Sequence, residues 1–273
     1  MVEIGISGPP FRASSIAVGA ALAAEAEGAH AIWYADTLGV DLSAAAWRAG
    51  GGPMARVVPD PTDLGDPTVT GVVAALVARR LRVGLLGWNP GVDAARAART
   101  VASLADVAPG RFTVACAGTD AEVTALAGEL RDALDIELAR YAGTPDVAAR
   151  LGWGWIAVAQ SPTATAKLAT DAGVTETVGV HVPVVVHADA GVVRDALAAP
   201  LLQSFGINEL GDGAVTGRPS ALDHAIDEYV AAGVTRIILE NLLPFGAPTE
   251  MEASQVALRT SVRSARLRHR VVS

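Results

Sequence analysis

The chain has 273 residues, 51% hydrophobic and only 18% charged, so it can bury one large core and is too apolar to stay unfolded. A net charge of -8 argues against general affinity for nucleic acid, whose phosphates call for a basic surface. The single cysteine, Cys116, excludes an intrachain disulfide, and no apolar run reaches the roughly 18 residues that span a bilayer. No basic segment followed by an apolar stretch opens the chain, so a soluble cytoplasmic protein with no membrane or nucleic-acid partner is the expectation.

In chain order, Val2 to Ser7 reads as a first strand that breaks at Gly8-Pro9-Pro10. Ser14 or Ser15 can cap a helix running to about Glu27, which Gly28 stops. Ala31 to Ala35 is a second strand, with Asp36 at its carboxyl end. The irregular passage from Thr37 to Gly65 is long enough to be either a lid or a plain surface excursion. Asp66-Pro67 opens the next helix, whose Val69, Val72, Val73, Leu76 and Val77 recur at helical spacing. Leu81 to Trp88 and Arg111 to Cys116 are short apolar runs bounded by Gly, Pro or Asn, hence strands. Between them Asp93 to Asp106 puts Ala94, Ala97, Ala98, Val101, Leu104 and Ala105 on one helical face. Such a crossover joins neighbouring parallel strands.

The alternation continues with a helix over Ala121–Leu134, a strand over Ile136–Tyr141 and a short helix opening at Thr144-Pro145-Asp146. Gly154 to Ala159 is a sixth strand, and Ser161-Pro162 opens a helix to about Ala172. His181 to His187 is a seventh strand; helical stretches at 190–202 and 219–232 flank a Gly-rich break from Gly206 to Gly217. Arg236 to Glu240 is the eighth strand, and the last helix, about Met251 to Arg268, carries an Arg-rich end suited to a helix carboxyl terminus. Eight strands each followed by a helix predict one (β/α)8 barrel over residues 1–273, with a doubly wound open sheet as the competitor.

In such a barrel, function sits at the carboxyl ends of the strands. The polar candidates there are Ser7, Asp36, Asn89, Thr119, Asp120, Gln160, Ser161, His187, Asp189, Glu240 and Asn241. Asp36 can contact a cofactor or cap its turn; His187 can move a proton or bond backbone; Glu240 can act on substrate or sit paired with an Arg. His181 and His187 face the same way but stand roughly 20 Å apart by strand rise, too far to share a metal. No metal site, Gly-x-Ser-x-Gly elbow or Lys-bearing phosphate loop is legible. Cys116 reads as core, and Trp33, Trp88, Trp153 and Trp155 as core or as an aromatic wall.

Four stretches carry a family likeness: Ala24 through Trp33 to Asp36, Asp66-Pro67 through Leu81-Arg82-Val83-Gly84, Ser103-Leu104 through Pro109-Gly110-Arg111-Phe112, and Tyr229 through Gly233 to Leu239. In order and spacing they resemble the bacterial luciferase-like monooxygenase superfamily, which includes flavin-dependent monooxygenases and oxidoreductases using the deazaflavin coenzyme F420. The resemblance implies a compact luciferase-like barrel with an insertion trimmed, and an isoalloxazine-type ring in its mouth. By position, Asp36 would approach the ring, and Leu86-Gly87 would match a backbone bulge behind it, often a non-prolyl cis peptide. Gly118, Thr119 and Asp120, with Ala159, Gln160 and Ser161, would line the phosphate side.

The stretch Ala115 to Asp120 keeps one Gly where the family commonly has Gly-x-Gly, and Asp120 would oppose a phosphate. The resemblance implies an F420-dependent oxidoreductase acting on a small organic substrate, with FMN as the alternative cofactor, His187 or Glu240 handling the proton, and a homodimer formed beside the second and third strands. Two rivals stand beside it. One is a barrel without cofactor that serves in binding or assembly; the other is an enzyme of phosphorylated sugars, with Gly211 to Gly217 as its phosphate loop.

Overall fold

The computed structural model describes residues 2–8, 14–35, 66–130, 134–198, 213–242 and 248–269. Its strands are β1 (Glu3–Ser7), β2 (Ala31–Ala35), β3 (Arg82–Trp88), β4 (Phe112–Cys116), β5 (Glu137–Tyr141), β6 (Gly154–Val158), β7 (Val178–Val186), β8 (Val215–Gly217) and β9 (Arg236–Asn241). The helices are α1 (Ser14–Glu27), α2 (Pro67–Val77), α3 (Ala94–Val107), α4 (Asp120–Glu129), α5 (Pro145–Leu151), α6 (Pro162–Ala172), α7 (Ala190–Leu197), α8 (Pro219–Ala231) and α9 (Pro248–His269).

Every pairing is parallel, and the ring closes where β9 lies between β7 and β1. The expected closed barrel therefore forms, and the open sheet is excluded. The eight strands of the ring are β1 to β7 and β9. The short β8 was not anticipated, since three residues inside a Gly-rich stretch carry no period. Val184 pairs with both Val215 and Asn241, so β8 extends along the β7 edge that β6 leaves.

Local chemistry sets the helix ends. Asp66 accepts from the Thr68 and Val69 N–H groups, with Pro67 in the first turn, and Asp93 accepts from Arg96 N–H. Ser161 caps α6, and Gly152 and Gly173 close α5 and α6 in left-handed conformation. α3 buries Ala97, Val101, Leu104 and Ala105, the face its spacing predicts. α2 does not follow its larger residues. It buries Pro67, Gly71, Ala74 and Ala75 and leaves Val69 and Leu76 more than 60% exposed. A Cβ on Gly71 would lie 3.0 Å from Leu85 and 3.3 Å from Val83, so the helix approaches β3 too closely for branched side chains. The terminal arginines are tied down: Arg266 donates to the Gly28 carbonyl, and Arg268 pairs with Asp227. Among the described residues no helix is long and apolar enough to cross a membrane.

Side chains pointing into the barrel stack in layers. At the amino end, Arg236 donates two hydrogen bonds to Glu3 (2.7 and 3.0 Å) and two to Glu137 (both 2.8 Å). Arg82 joins them at 2.6 Å from Glu137 and 3.4 Å from Glu3. Above this neutral quartet, Trp33 fills the centre with Leu86, Ala115, Ala139, Ile156 and Ile238. The Arg236 guanidinium lies over the indole, 5.3 Å from its centroid. The indole needs glycine beside it: a Cβ on Gly84 would fall 2.0 Å from the ring, and one on Gly5 2.5 Å.

Burial alone would raise the Glu137 carboxyl, but hydrogen bonds and charge from Arg236, reinforced by Arg82, hold it at about 2. Its folded value lies below the ordinary carboxylate value of about 4.3, so its stabilisation is complete above about pH 5 and disappears as pH falls towards 2. Glu137→Gln leaves Arg236 with one full partner and should destabilise the fold by about 3 kcal/mol or more at neutral pH. Denaturant melts of the variant should also lose part of the wild-type slope between pH 5 and 2; an unchanged slope would refute this account of the cluster.

Candidate active site

The uppermost inward layer differs in character from the one beneath it. Glu3, Gly5 and Ser7 alternate inward along β1, as do Glu137, Ala139 and Tyr141 along β5 and Arg236, Ile238 and Glu240 along β9. Two residues above the apolar layer, three polar side chains therefore meet. Tyr141 Oη lies 2.9 Å from His181 Nδ1, and His181 Nε2 lies 2.9 Å from Glu240 Oε2. The second contact is an electrostatic one that lacks the alignment of a hydrogen bond. His181 is 4% exposed and Glu240 14%. Burial raises the Tyr141 phenol above its ordinary range, and the Glu240 charge raises it further, so the hydroxyl stays protonated.

The neighbouring β3 edge shapes the space above this layer. Pairing between β3 and β4 shifts register between Leu86 and Trp88, with Gly87 at φ +70°. Leu86 points inward, while the bulge turns Trp88 outward to pack with Cys116 in the helix-facing core. An unbulged strand would aim the indole into the mouth. The expected bulge at Leu86-Gly87 is therefore present. The cis peptide is not: every described peptide bond is trans. Gly87 sits against the Tyr141 ring, where an added Cβ would lie 3.3 Å from Cε1.

The remaining sequence candidates lie as follows. Asp36 is outside the described residues. His187 is half-buried just beyond β7, donates its backbone N–H to Gly217 and accepts the Asp189 N–H on Nδ1. Asp189 in turn caps α7. His187 is thus engaged in the turn, and His181, six residues earlier, meets Glu240. The Glu240 carboxylate is paired with that imidazole rather than with an arginine. Cys116 is core, its thiol pushed up to about 12 by burial despite the nearby Arg140 charge. All four tryptophans considered are buried. Among the described residues no three His, Cys, Asp or Glu side chains are grouped to hold a metal.

Gly118, Thr119 and Asp120 form the turn into α4. Thr119 and Glu122 make a capping box: Glu122 accepts the Thr119 N–H at 2.7 Å, and Thr119 Oγ1 accepts the Glu122 N–H. Asp120 lies 3.3 Å from the buried Arg140, whose other donors reach the Cys116, Gly118 and Tyr141 carbonyls. The opposing charge expected from Asp120 is thus partly neutralised, while Glu122 brings a second carboxylate that spacing alone did not flag. Across the mouth, Ala159 has φ +48°, and Gln160 accepts the Tyr229 hydroxyl on its carbonyl at 2.6 Å. Ser161 Oγ faces the Ala164 N–H.

Above the apolar layer that holds Leu86, the Gly87 bulge and the Tyr141 ring offer surface of the kind a flat redox ring stacks on, beside the polar groups of His181 and Glu240. A phosphate does not fit the turn into α4, because carboxylates already occupy the donors it would need. A cavity of about 260 Å³ opens at the opposite, amino end of the strands, between Glu137, Trp153, Gly154 and Thr177, away from this layer.

No protein-family model matches the sequence, and no curated protein matches it. Solved structures do. An F420-dependent secondary alcohol dehydrogenase in complex with an F420–acetone adduct is 13% identical, with TM-score 0.66, over 96% of this chain and 99% of that one. A coenzyme F420-dependent tetrahydromethanopterin reductase from Methanopyrus kandleri is 14% identical, with TM-score 0.64, over 98% and 99%. A monooxygenase from Streptomyces bottropensis is 18% identical, with TM-score 0.63, over 99% and 100%. This chain thus shares the barrel fold of these enzymes.

Gly87→Ala should cost about 1–2 kcal/mol for the left-handed backbone it forces on alanine. Equilibrium denaturation measures it directly. A loss below a few tenths of a kcal/mol would mean that the bulge relaxes rather than holds.

Proposed function

We propose that the chain is an oxidoreductase passing hydride between coenzyme F420 and a small organic substrate in the barrel mouth. FMN is the alternative cofactor. The observation that carries this reading is the polar layer of Tyr141, His181 and Glu240 set directly above an apolar plug, beside a bulge that clears the mouth of Trp88. The luciferase-like fold supports it, since F420-dependent enzymes and monooxygenases share that barrel.

When bound, the cofactor supplies the hydride chemistry, and the protein supplies position, shielding and protons. Leu86 and Gly87 form the surface against which a ring would lie, Tyr141 presents its hydroxyl at the mouth, and His181 and Glu240 stand behind it. The turn at Gly118 to Asp120 contributes no phosphate cradle, so anion contacts fall to the stretch at Ala159 to Ser161.

Titration of purified protein with F420 and with FMN tests the reading by fluorescence. Saturable binding of F420 is expected. Binding of neither would favour a barrel used for binding or assembly. Glu122→Gln keeps the capping geometry and removes one charge, so it should tighten F420 severalfold at low salt, an advantage that fades as salt rises. Equal affinity in variant and wild type would mean that the Glu122 charge is not felt at the bound anion.

The expected homodimer has a candidate surface on α2. Val69 and Leu76 are exposed there, with Leu22 of the adjoining α1 46% exposed. Sedimentation of the wild type should report twice the chain mass, and Leu76→Glu should halve it. A monomeric wild type would remove the dimer from the proposal.

A further inference from the structure

We propose that Tyr141 exchanges a proton with the oxygen of a carbonyl or alcohol substrate, and that His181 and Glu240 are the positioning residues that take up and return that proton. This rests on the hydride-transfer reading and names the substrate class and proton path within it.

The geometry is a chain of three groups from three strands. Tyr141 on β5 meets His181 on β7 at 2.9 Å, and His181 meets Glu240 on β9 at 2.9 Å. The order hydroxyl, imidazole, carboxylate makes Nδ1 the acceptor of the phenol proton and leaves Nε2 2.9 Å from the carboxylate, close enough for its charge to be felt. The layer beneath is apolar throughout, and burying three polar groups on top of it is a cost that packing does not require. The turn partners of His187 and the capping box of Thr119 with Glu122 engage those residues elsewhere, so among the described mouth residues this trio is the proton path.

The chemistry balances in both directions. In carbonyl reduction, a hydride from the reduced deazaflavin or flavin adds to the carbonyl carbon and the C=O π bond breaks towards oxygen. That oxygen takes the Tyr141 proton, and Tyr141 Oη recovers one from Nδ1 of His181, which has first taken up a proton from solvent to become the imidazolium beside Glu240. In alcohol oxidation, the substrate O–H proton passes to Tyr141 Oη while the phenol proton moves to neutral His181. The resulting imidazolium lies beside the Glu240 carboxylate, and the C–H hydride leaves for the oxidised cofactor. Burial keeps the phenol protonated, so a hydroxyl held by His181 waits where negative charge develops on oxygen.

Two measurements test this. In cofactor-free protein, nitrogen NMR of labelled histidine should show His181 as the Nε2–H tautomer with a hydrogen-bonded Nδ1, and Tyr141→Phe should abolish that Nδ1 signature. An Nδ1–H tautomer in the wild type would overturn the relay. In the loaded enzyme, with a panel of small ketones and secondary alcohols, Tyr141→Phe should lower kcat by roughly 10²–10⁴-fold with cofactor affinity and KM within about twofold. Glu240→Gln should lower kcat by about tenfold or more, again with cofactor affinity unchanged. A Tyr141→Phe enzyme as fast as an active wild type sinks the inference and leaves the hydride-transfer reading standing. Wild type that binds cofactor but turns over none of the panel overturns the substrate class. Wild type that binds neither cofactor removes the reading and this inference together.

Discussion

Arg236 is the joint on which the barrel depends. It sits at the first residue of β9, the strand that closes the ring, and is 2% exposed. A lone buried guanidinium would be prohibitively costly, but four hydrogen bonds to two carboxylates make this one a tie between β1, β5 and β9. Arg82 brings β3 into the same cluster and balances the charge at zero. The cluster plugs the amino end of the barrel with side chains whose geometry fixes register, as an oily plug would not.

Above it, the interior changes chemistry layer by layer. The Arg236 guanidinium lies over Trp33, whose indole reaches across the axis because Gly5 and Gly84 lack side chains. That plug seals the middle of the barrel, so anything entering from the top meets Tyr141, His181 and Glu240. Ion pairs and the indole thus lie below along one axis, and the polar trio above. The Gly87 bulge completes the arrangement by sending Trp88 into the helix-facing core. One backbone distortion keeps that indole out of the barrel interior.

The site read from the resemblance and the site built by the fold overlap only in part. Glu240 belongs to the polar layer and Gly87 lies against its Tyr141 ring, while Leu86 belongs to the apolar layer beneath. Thr119 and Asp120 belong to a self-satisfied turn, in which a capping box and Arg140 use the groups an anion would want. His187 serves its own turn. The difference between His181 and His187 is instructive: both share strand parity, but β7 ends at Val186, and only the earlier residue is inside the ring.

The sequence by itself determined what depends on neighbours along the chain. Strand–helix alternation, the caps at Asp66, Asp93 and Ser161 and the inward face of α3 follow from spacing and short-range hydrogen bonding, so they were legible. The placement of Glu240 at a strand's carboxyl end was legible for the same reason. Tertiary structure alone decided the rest. Tyr141 and His181 are 40 residues apart in the chain and meet only because the curvature of the sheet turns β5 and β7, the strands on either side of β6, towards each other. The face of α2 was set by how closely the helix approaches β3, which favours small residues over the valines that periodicity picks out. The pairing of β8 came from a vacant edge on β7, and the ionic quartet from four strands converging on one axis. These are distances across a closed sheet, and a linear pattern of residues does not encode them directly.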